Sequence, residues 1–219
     1  MKLVWSPETA SKAYIDTVKS CEILYESGAA ELVSAMAAGW NAKLIAETWS
    51  QGGVISTSMG LAIASRHAGG RHVCVVPDEL SKLEYVQRMG EAGMSPEVMV
   101  GEAEEVMDGL VGIDFLVVDS RRKDFARFLR LAKLSTEGAV LVCKNANSRT
   151  ATTFKWRCVL DEASRRLVRS VFLPVGKGLD IAHVSAAEGN LVSARRDRGY
   201  KRWIKHIDQQ SGEIHVIRK

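Results

Sequence analysis

The amino-acid sequence predicts an α/β fold in which a mostly parallel, twisted sheet is covered by helices on both faces and ends in an antiparallel hairpin. Between residues 43 and 145, short runs that are apolar throughout alternate with stretches of helical periodicity. Such runs are typical of parallel strands that are buried on both faces of the sheet. Two later strand-like runs are joined by only four residues, 175–178, and so short a connection requires antiparallel pairing.

The chain begins with two predicted helices. Ser6-Pro7-Glu8 is a typical helix start, with Ser at the N-cap, Pro at the first helical position and an acid in the first turn. Apolar residues then recur at 3.6-residue spacing up to Cys21, and a second helix is expected over residues 29–38 before Gly39. We therefore divide the chain into N-terminal helices at 1–40, a Rossmann-like domain at 41–189 and a tail at 190–219.

Strands and helices alternate after the N-terminal helices. We expect strands at 44–46, 73–76, 98–100, 113–118 and 139–143, and helices between them at 58–68, 80–92, 103–110 and 123–134. The hairpin comprises runs at 167–174 and 179–186, and the tail has a second small hairpin at 203–208 and 213–217. Right-handed crossovers would wind the parallel strands into an open sandwich.

Composition excludes several classes of protein. With 219 residues, 46% hydrophobic and 26% charged, the chain can form one domain with a sizeable core. It has no apolar run of about 18 residues, so no membrane span is expected, and residues 1–6 do not look like a signal peptide. The four cysteines lack metal-ligand spacing, which predicts a reduced cytoplasmic or nuclear protein without structural zinc.

The positive charge of the chain is concentrated in its tail. Residues 190–219 hold eight Lys or Arg against three acids, a net charge of +5, whereas the other 189 residues carry −1. Tyr200 and Trp203 lie among these basic residues, so nucleic acid or another partner could bind here. A solvated terminal segment explains the same charge, and that reading is favoured.

Ligands of open α/β sheets bind at the carboxyl ends of the strands, and the first such loop runs from Glu47 to Gly53. Gly52 and Gly53 would let backbone N–H groups approach a ligand, although they also suit a sharp strand-to-helix turn. After the second strand, Asp78 could accept ribose hydroxyls or cap the next helix. After the third, Glu102 and Ala103 open a short helix beside the same edge.

Asp119 is the best single candidate for a functional residue, because it ends the fourth predicted strand at the ligand crevice. Asn145 ends the fifth strand and is expected beside it, with Lys144 adjoining both. Asp119 and Asn145 could hold a hard cation through oxygen, but two ligands are few. The positive charge of Lys144 disfavours a cation, so we expect no metal.

Three segments, 101–106, 113–119 and 138–145, and the hairpin at 170–179 resemble class I methyltransferases. The resemblance extends over the chain up to about Ala186. The chain is similar to the cation-dependent O-methyltransferases that act on caffeoyl-CoA and catechols. More closely, it resembles a land-plant family known as domain of unknown function 1442, which is known only as methyltransferase-like. This resemblance implies a Rossmann-like class I methyltransferase fold and S-adenosylmethionine as cofactor, at Glu47, Gly52, Gly53, Asp78, Glu102, Ala103 and Asp119.

The sequence departs from this resemblance at three motifs. Trp49 stands where methyltransferases have the first loop glycine, and Asp78 is displaced from the position of the ribose-binding acid. The metal site should consist of two acids and an Asn, and Lys144 replaces the second acid between Asp119 and Asn145. If any catalysis occurs, Asp119, Lys144 and Asn145 are the residues expected to carry it.

Two functions therefore remain open at the level of the sequence. The first is a methyltransferase-like protein of unknown substrate that binds S-adenosylmethionine or a related nucleoside but has an eroded metal-dependent site. The second is a non-catalytic regulatory or interaction module, with its tail contacting protein or, less favoured, RNA. A homo-oligomer formed through the N-terminal helices is a further, weaker alternative.

Overall fold

The computed structural model describes residues 5–21, 28–147, 154–160 and 167–185, and the backbone of 203–207 and 214–218. By contacts, the chain divides into two compact units, Met1–Ala187 and Glu188–Lys219. The basic run at 195–202, including Tyr200, lies outside the described residues. In the described part of the chain, no helix is long and apolar enough to cross a membrane.

The first unit has the predicted alternation of helices and strands. Its helices are α1 (Pro7–Cys21), α2 (Ala29–Gly39), α3 (Ser56–Ala68), α4 (Glu79–Glu91), α5 (Ala103–Val106), α6 (Phe125–Leu131) and α7 (Arg157–Leu160). Its strands are β1 (Leu44–Thr48), β2 (Arg71–Val76), β3 (Glu97–Val100), β4 (Val111–Ile113), β5 (Phe115–Asp119), β6 (Lys133–Leu134), β7 (Ala139–Lys144), β8 (Leu167–Leu173) and β9 (Leu179–Val184).

Seven of these strands form one twisted sheet in the order β3-β2-β1-β5-β7-β9-β8. The first five are parallel, β9 runs antiparallel to β7, and β8 runs antiparallel to β9. This arrangement confirms the predicted mostly parallel sheet with an antiparallel hairpin. The second strand of the hairpin lies inside the sheet, and β8 forms its edge.

The apolar strands are buried on both faces, as their composition predicts. On one face, α1, α2 and α3 cover a cluster that includes Ile45, Phe115 and Val117; on the other, a cluster that includes Leu116 and Val118 packs beneath α5 and α6. Alternate residues of β5 thus point to opposite cores. Helix α3 approaches α2 closely at Gly60, where a Cβ would lie 2.7 Å from a backbone oxygen of α2.

The structure differs from the sequence prediction in three local regions. The predicted strand 113–118 is two strands, because the chain breaks at Asp114 and β4 pairs with the short β6 instead of joining the main sheet. Asp114 accepts hydrogen bonds from the backbone of Lys43 and Leu44 at 2.8 and 3.1 Å, which fixes this break against β1. The predicted helices 103–110 and 123–134 are shorter, with a 3₁₀ turn and β6 at their ends.

The second unit contains the hairpin predicted in the tail. Strands β10 (Trp203–Ile207) and β11 (Ile214–Arg218) pair antiparallel along their full length. This backbone pairing confirms the hairpin.

Candidate functional site at the carboxyl edge of the sheet

Glu47 lies within β1 and not in the loop after it, because the strand continues to Thr48. Its carboxylate is fully buried; the Tyr85 hydroxyl donates to Oε1 at 2.8 Å, and His72 Nε2 lies 3.1 Å from the same oxygen. Burial would raise the pKa of this carboxyl, but the hydrogen bond and charge of His72 and the charge of Lys144 together hold it below its usual value. Glu47 thus links β1 to β2 and α4 beneath the loop that follows β1.

Trp49 is also buried, with 1% of its surface exposed. Its indole packs edge-on against Tyr85 at 5.3 Å between ring centroids, and Nε1 donates to the Val54 carbonyl at 3.3 Å. A Cβ at Gly53 would lie 2.7 Å from the indole nitrogen, so Gly53 is required for this packing. The indole therefore supports the loop from within the core between β2, α3 and α4.

The two loop glycines already use their backbone N–H groups. Gly52 donates to the Glu84 carboxylate at 3.2 Å, and Gly53 donates to the Ser50 carbonyl at 2.9 Å. The Arg88 guanidinium donates to the Gly53 carbonyl at 2.7 Å. A ligand that approaches these amides must compete with bonds inside the protein.

Asp78 caps α4, which is one of the two roles the sequence left open. Its backbone is extended and its side chain accepts from the Ser81 N–H at 2.7 Å. Hydrogen bonds from the Ser81 backbone and side chain lower the pKa of this exposed carboxyl. Glu102 is also exposed at the start of α5, whereas Ala103 is fully buried in the core. The acids, and not Ala103, thus present polar atoms to the crevice.

Asp119 is held by a basic side chain that the sequence analysis did not single out. The Arg121 guanidinium spans both carboxylate oxygens, at 2.6 Å from Nη2 to Oδ2 and 3.1 Å from Nε to each oxygen. Asn145 Nδ2 donates to Oδ1 at 2.9 Å, as its predicted position implied. Asn145 has a left-handed backbone, with φ of 59°, a conformation that Asn tolerates better than most residues.

These contacts control the charge of Asp119. Burial would raise its pKa, but hydrogen bonds from Arg121, the charge of Lys144 and the Asn145 amide outweigh burial and keep the pKa below its usual value. We call Asp119, Arg121 and Asn145 the carboxylate clamp. Asp119 is an ionised group that is already satisfied by protein donors.

The groups around Asp119 differ from the two acids and one Asn that the resemblance to the cation-dependent enzymes implies for a metal site. Lys144, which pairs with Asp119 in the sheet register, stands where the resemblance implies the second acid, and the Arg121 guanidinium bonds both oxygens of Asp119. Two cations beside the site repel a third. Across the residues that the structure describes, no group of three His, Cys, Asp or Glu side chains could hold a metal ion.

Arg122 is a second basic residue that the sequence analysis missed. It forms a pair with Asp124 at 2.6 Å, stacks over Phe128 and reaches the Trp49 carbonyl at 3.5 Å. The hydrogen bond to Asp124 and the charge of Asp124 raise the pKa of the Arg122 guanidinium, and the charge of Glu102 raises it further. Arg122 therefore places a cation between the first loop and the end of β3. The signal for both arginines was the basic run 121–123, which begins two residues after the strand-ending Asp119.

Three solved structures that are similar to this chain come from methyltransferases or a methyltransferase-like protein. A methyltransferase from Geobacter sulfurreducens is 21% identical, with a TM-score of 0.57, over 81% of this chain and 90% of its own. The O-methyltransferase TomG from Streptomyces achromogenes, solved with S-adenosylmethionine, is 24% identical, with a TM-score of 0.53, over 84% and 92%. A caffeoyl-CoA O-methyltransferase-like protein from Staphylococcus aureus is 13% identical, with a TM-score of 0.54, over 78% and 91%.

At these identities the likeness establishes the Rossmann-like class I methyltransferase fold. No curated protein matches the sequence. The family description that does match, "protein of unknown function (DUF1442)", covers residues 1–219. The chain therefore belongs to the DUF1442 family, which in this protein has the fold of the class I methyltransferases.

Proposed function

We propose that this methyltransferase-like protein binds S-adenosylmethionine or a related nucleoside at the carboxyl edge of β1, β2 and β3, and that it does not perform metal-dependent O-methyl transfer. The observation that carries the proposal is the carboxylate clamp, in which Arg121 holds the carboxylate that the metal enzymes offer to a cation. S-adenosylmethionine, when bound, supplies a methyl group on a positively charged sulfur.

The hydrogen-bond acceptors at the strand ends are suited to binding a nucleoside. Asp78 and Glu102 are exposed carboxylates on adjacent strand ends, and carboxylates suit the two hydroxyls of a ribose. The cap bond to Ser81 uses Oδ1 of Asp78 and fixes the side chain at the crevice. Gly52 would line the opposite side of the nucleoside with Gly53 behind it, and the buried Glu47 and Ala103 would support the site from beneath.

Any chemistry at this site would proceed without a metal. Asp119, Lys144 and Asn145 converge at the ends of β5 and β7, with Arg121 neutralising the carboxylate. A metal enzyme orients its acceptor through the cation, whereas here Lys144 is the group that would face an acceptor.

Calorimetric titration of the full chain with S-adenosylhomocysteine tests the nucleoside part. Asp78→Asn keeps the helix cap but removes the charge, because Asn and Asp cap equally well, and we expect about tenfold weaker binding. Glu79→Gln, a neighbouring exposed acid, is the matched control and should bind normally. No binding by the unmodified chain, or equal binding by Asp78→Asn, would contradict the nucleoside proposal.

The same titration with Mg²⁺ or Ca²⁺ tests the metal part. We expect neither Asp119-dependent cation binding nor an effect of the cation on S-adenosylhomocysteine affinity, because Lys144 and Arg121 already place two positive charges there. Saturable binding that Asp119→Asn abolishes would refute this part of the proposal and leave the nucleoside part standing.

One set of contacts favours the second candidate, a non-catalytic regulatory or interaction module. The loop amides at Gly52 and Gly53 are bonded within the protein, and Arg122 lies across the crevice to the Trp49 carbonyl. If S-adenosylhomocysteine and S-adenosylmethionine both fail to bind at millimolar concentration, these contacts favour a non-catalytic regulatory or interaction module over a nucleoside-binding protein.

We also propose a reducing compartment, the cytoplasm, as the site of action. Cys74, Cys143 and Cys158 are free thiols; Cys74 and Cys143 are buried, as is Cys21, whereas Cys158 is exposed. Burial raises the pKa of the Cys74 and Cys143 thiols, which keeps them unreactive packing residues.

A further inference from the structure

A cavity of about 280 Å³ opens beside the carboxylate clamp, on the side away from the proposed nucleoside. Its walls come mainly from the start of α3, the end of β7 and the turn between β8 and β9, and Ala29 at the start of α2 also lines it. Small-molecule sites commonly measure about 300–1,000 Å³, so this cavity suits a compact ligand. Elements that are distant in sequence thus enclose one small space.

Buried polar groups line one part of the cavity. Lys144, whose side chain is only 9% exposed, lies here beside Asn145 and the buried Thr57. The acid nearest to Lys144 Nζ is Glu47, with Oε2 at 3.9 Å, which is too long for a hydrogen bond. Within the described part of the chain, Nζ donates no hydrogen bond, although an ammonium has three donors.

The remaining charges favour an anion. Helix α3 begins at the cavity with the apolar N-cap Ile55, receives no cap from a described side chain and has no acid in its first turn. Lys177 adds a second cation at the exposed turn, and no acid is among the described residues that line the cavity. A 13-residue helix directs partial positive charge to its N-terminus. The cavity lining therefore combines two cations with the start of a helix, although Glu47 and Asp119 lie close behind Lys144 and offset part of its charge.

Another part of the lining is apolar. Val54, Val175 and Leu179 form it, and Leu179 is 2% exposed. A hydrated inorganic anion gains nothing from such a wall, whereas the apolar body of an organic acid does. We propose that this cavity binds a small organic acid, with its carboxylate against Lys144 and the start of α3 and its apolar body against Val54, Val175 and Leu179.

The inference deepens the proposed function and rests on it for one point, that Lys144 faces the acceptor side of the site; binding of the acid itself needs no bound nucleoside. Its test is a titration of the ¹⁵N-labelled full chain with sodium benzoate, without nucleoside, followed by amide chemical shifts. We expect saturable shifts at residues 54–57 and 175–179. Neutral benzamide and inorganic phosphate should each bind at least about tenfold more weakly, since one lacks the charge and the other the apolar body.

Variants separate the role of Lys144 from general effects on the fold. Lys144→Met should weaken benzoate binding about tenfold or more and Lys144→Arg should retain most of it, whereas Lys82→Met on α4 should change nothing. Because Lys144→Met leaves Glu47 without its cation, Val175→Phe serves as a second test that fills the cavity and should abolish binding. Benzamide or phosphate binding as tightly as benzoate, or unchanged binding in Val175→Phe, would overturn the proposal whether or not S-adenosylhomocysteine binds.

Discussion

The carboxylate clamp makes a quantitative prediction about Arg121. The Arg121→Met variant removes the guanidinium but keeps a side chain of similar reach, and Asp119 retains the Arg121 N–H at 3.0 Å and the Asn145 amide at 2.9 Å. Opposite charges about 4 Å apart attract by about 4 kcal/mol at an effective dielectric constant near 20. Because the Arg121 side chain is 42% exposed, solvent and side-chain entropy reduce this to about 1–2 kcal/mol of unfolding free energy.

The pH dependence of this loss follows from the pKa of Asp119, which the clamp lowers. A group with a depressed folded pKa contributes stability above its unfolded pKa, about 3.9 for Asp, and loses that contribution as pH falls through the folded value. The difference between the unmodified chain and Arg121→Met should therefore be constant between about pH 7 and 5 and narrow below about pH 4.

Urea unfolding followed by far-ultraviolet circular dichroism at several pH values measures this difference. Arg127→Met is the matched control, because its pair with Glu104 at 3.1 Å is 57% and 52% exposed and should be worth less than about 0.5 kcal/mol. A loss in Arg121→Met no larger than in Arg127→Met, or a loss that grows as the pH falls, would refute the reasoning.

Two further predictions concern the first loop and the tail. Trp49→Gly, which restores the glycine of the methyltransferases, should cost about 3–5 kcal/mol of unfolding free energy by urea titration, because a buried indole is lost. Trp49→Phe should cost clearly less, and a near-neutral Trp49→Gly would show that the indole does not support the loop. A chain ending at Gly189 should keep a cooperative unfolding transition, because the first unit ends at Ala187; if the tail also binds RNA, polyuridylate binding at low salt should be lost with it. Loss of the cooperative transition on truncation would mean that the first unit needs the tail to fold.

Much of the fold could be predicted because its signals are local. Strands such as β5 and β7 are apolar throughout, and a chain segment with that composition is stable only where both faces are covered. The four-residue connection at 175–178 likewise leaves only antiparallel pairing for β8 and β9. The short pair β4 and β6 could not be predicted, because it depends on Asp114 bonding to the backbone at the start of β1, 70 residues earlier.

The candidate site was predictable only in its strand-end residues. Asp119 ends β5 and Asn145 directly follows the adjacent parallel strand β7, so the topology brings their side chains within 2.9 Å of each other. For Asp78 the sequence allowed a cap or a ribose ligand, and the Ser81 bond establishes the cap while leaving the ribose role a prediction. The roles of Glu47, Gly52, Gly53, Glu102 and Ala103 in binding a cofactor also remain predictions.

The sequence by itself determined the order of the elements, the buried faces of the strands and the place of Lys144 at a strand end beside Asn145, because composition and order along the chain encode them. Only the tertiary structure decided that Arg121 holds Asp119, that Trp49 packs under its loop and that Lys144 lines a cavity beside α3. The physical reason is that the partner of a long side chain depends on the distances to the groups around it and on how deeply it is buried. Those distances exist only once elements far apart in sequence have packed together.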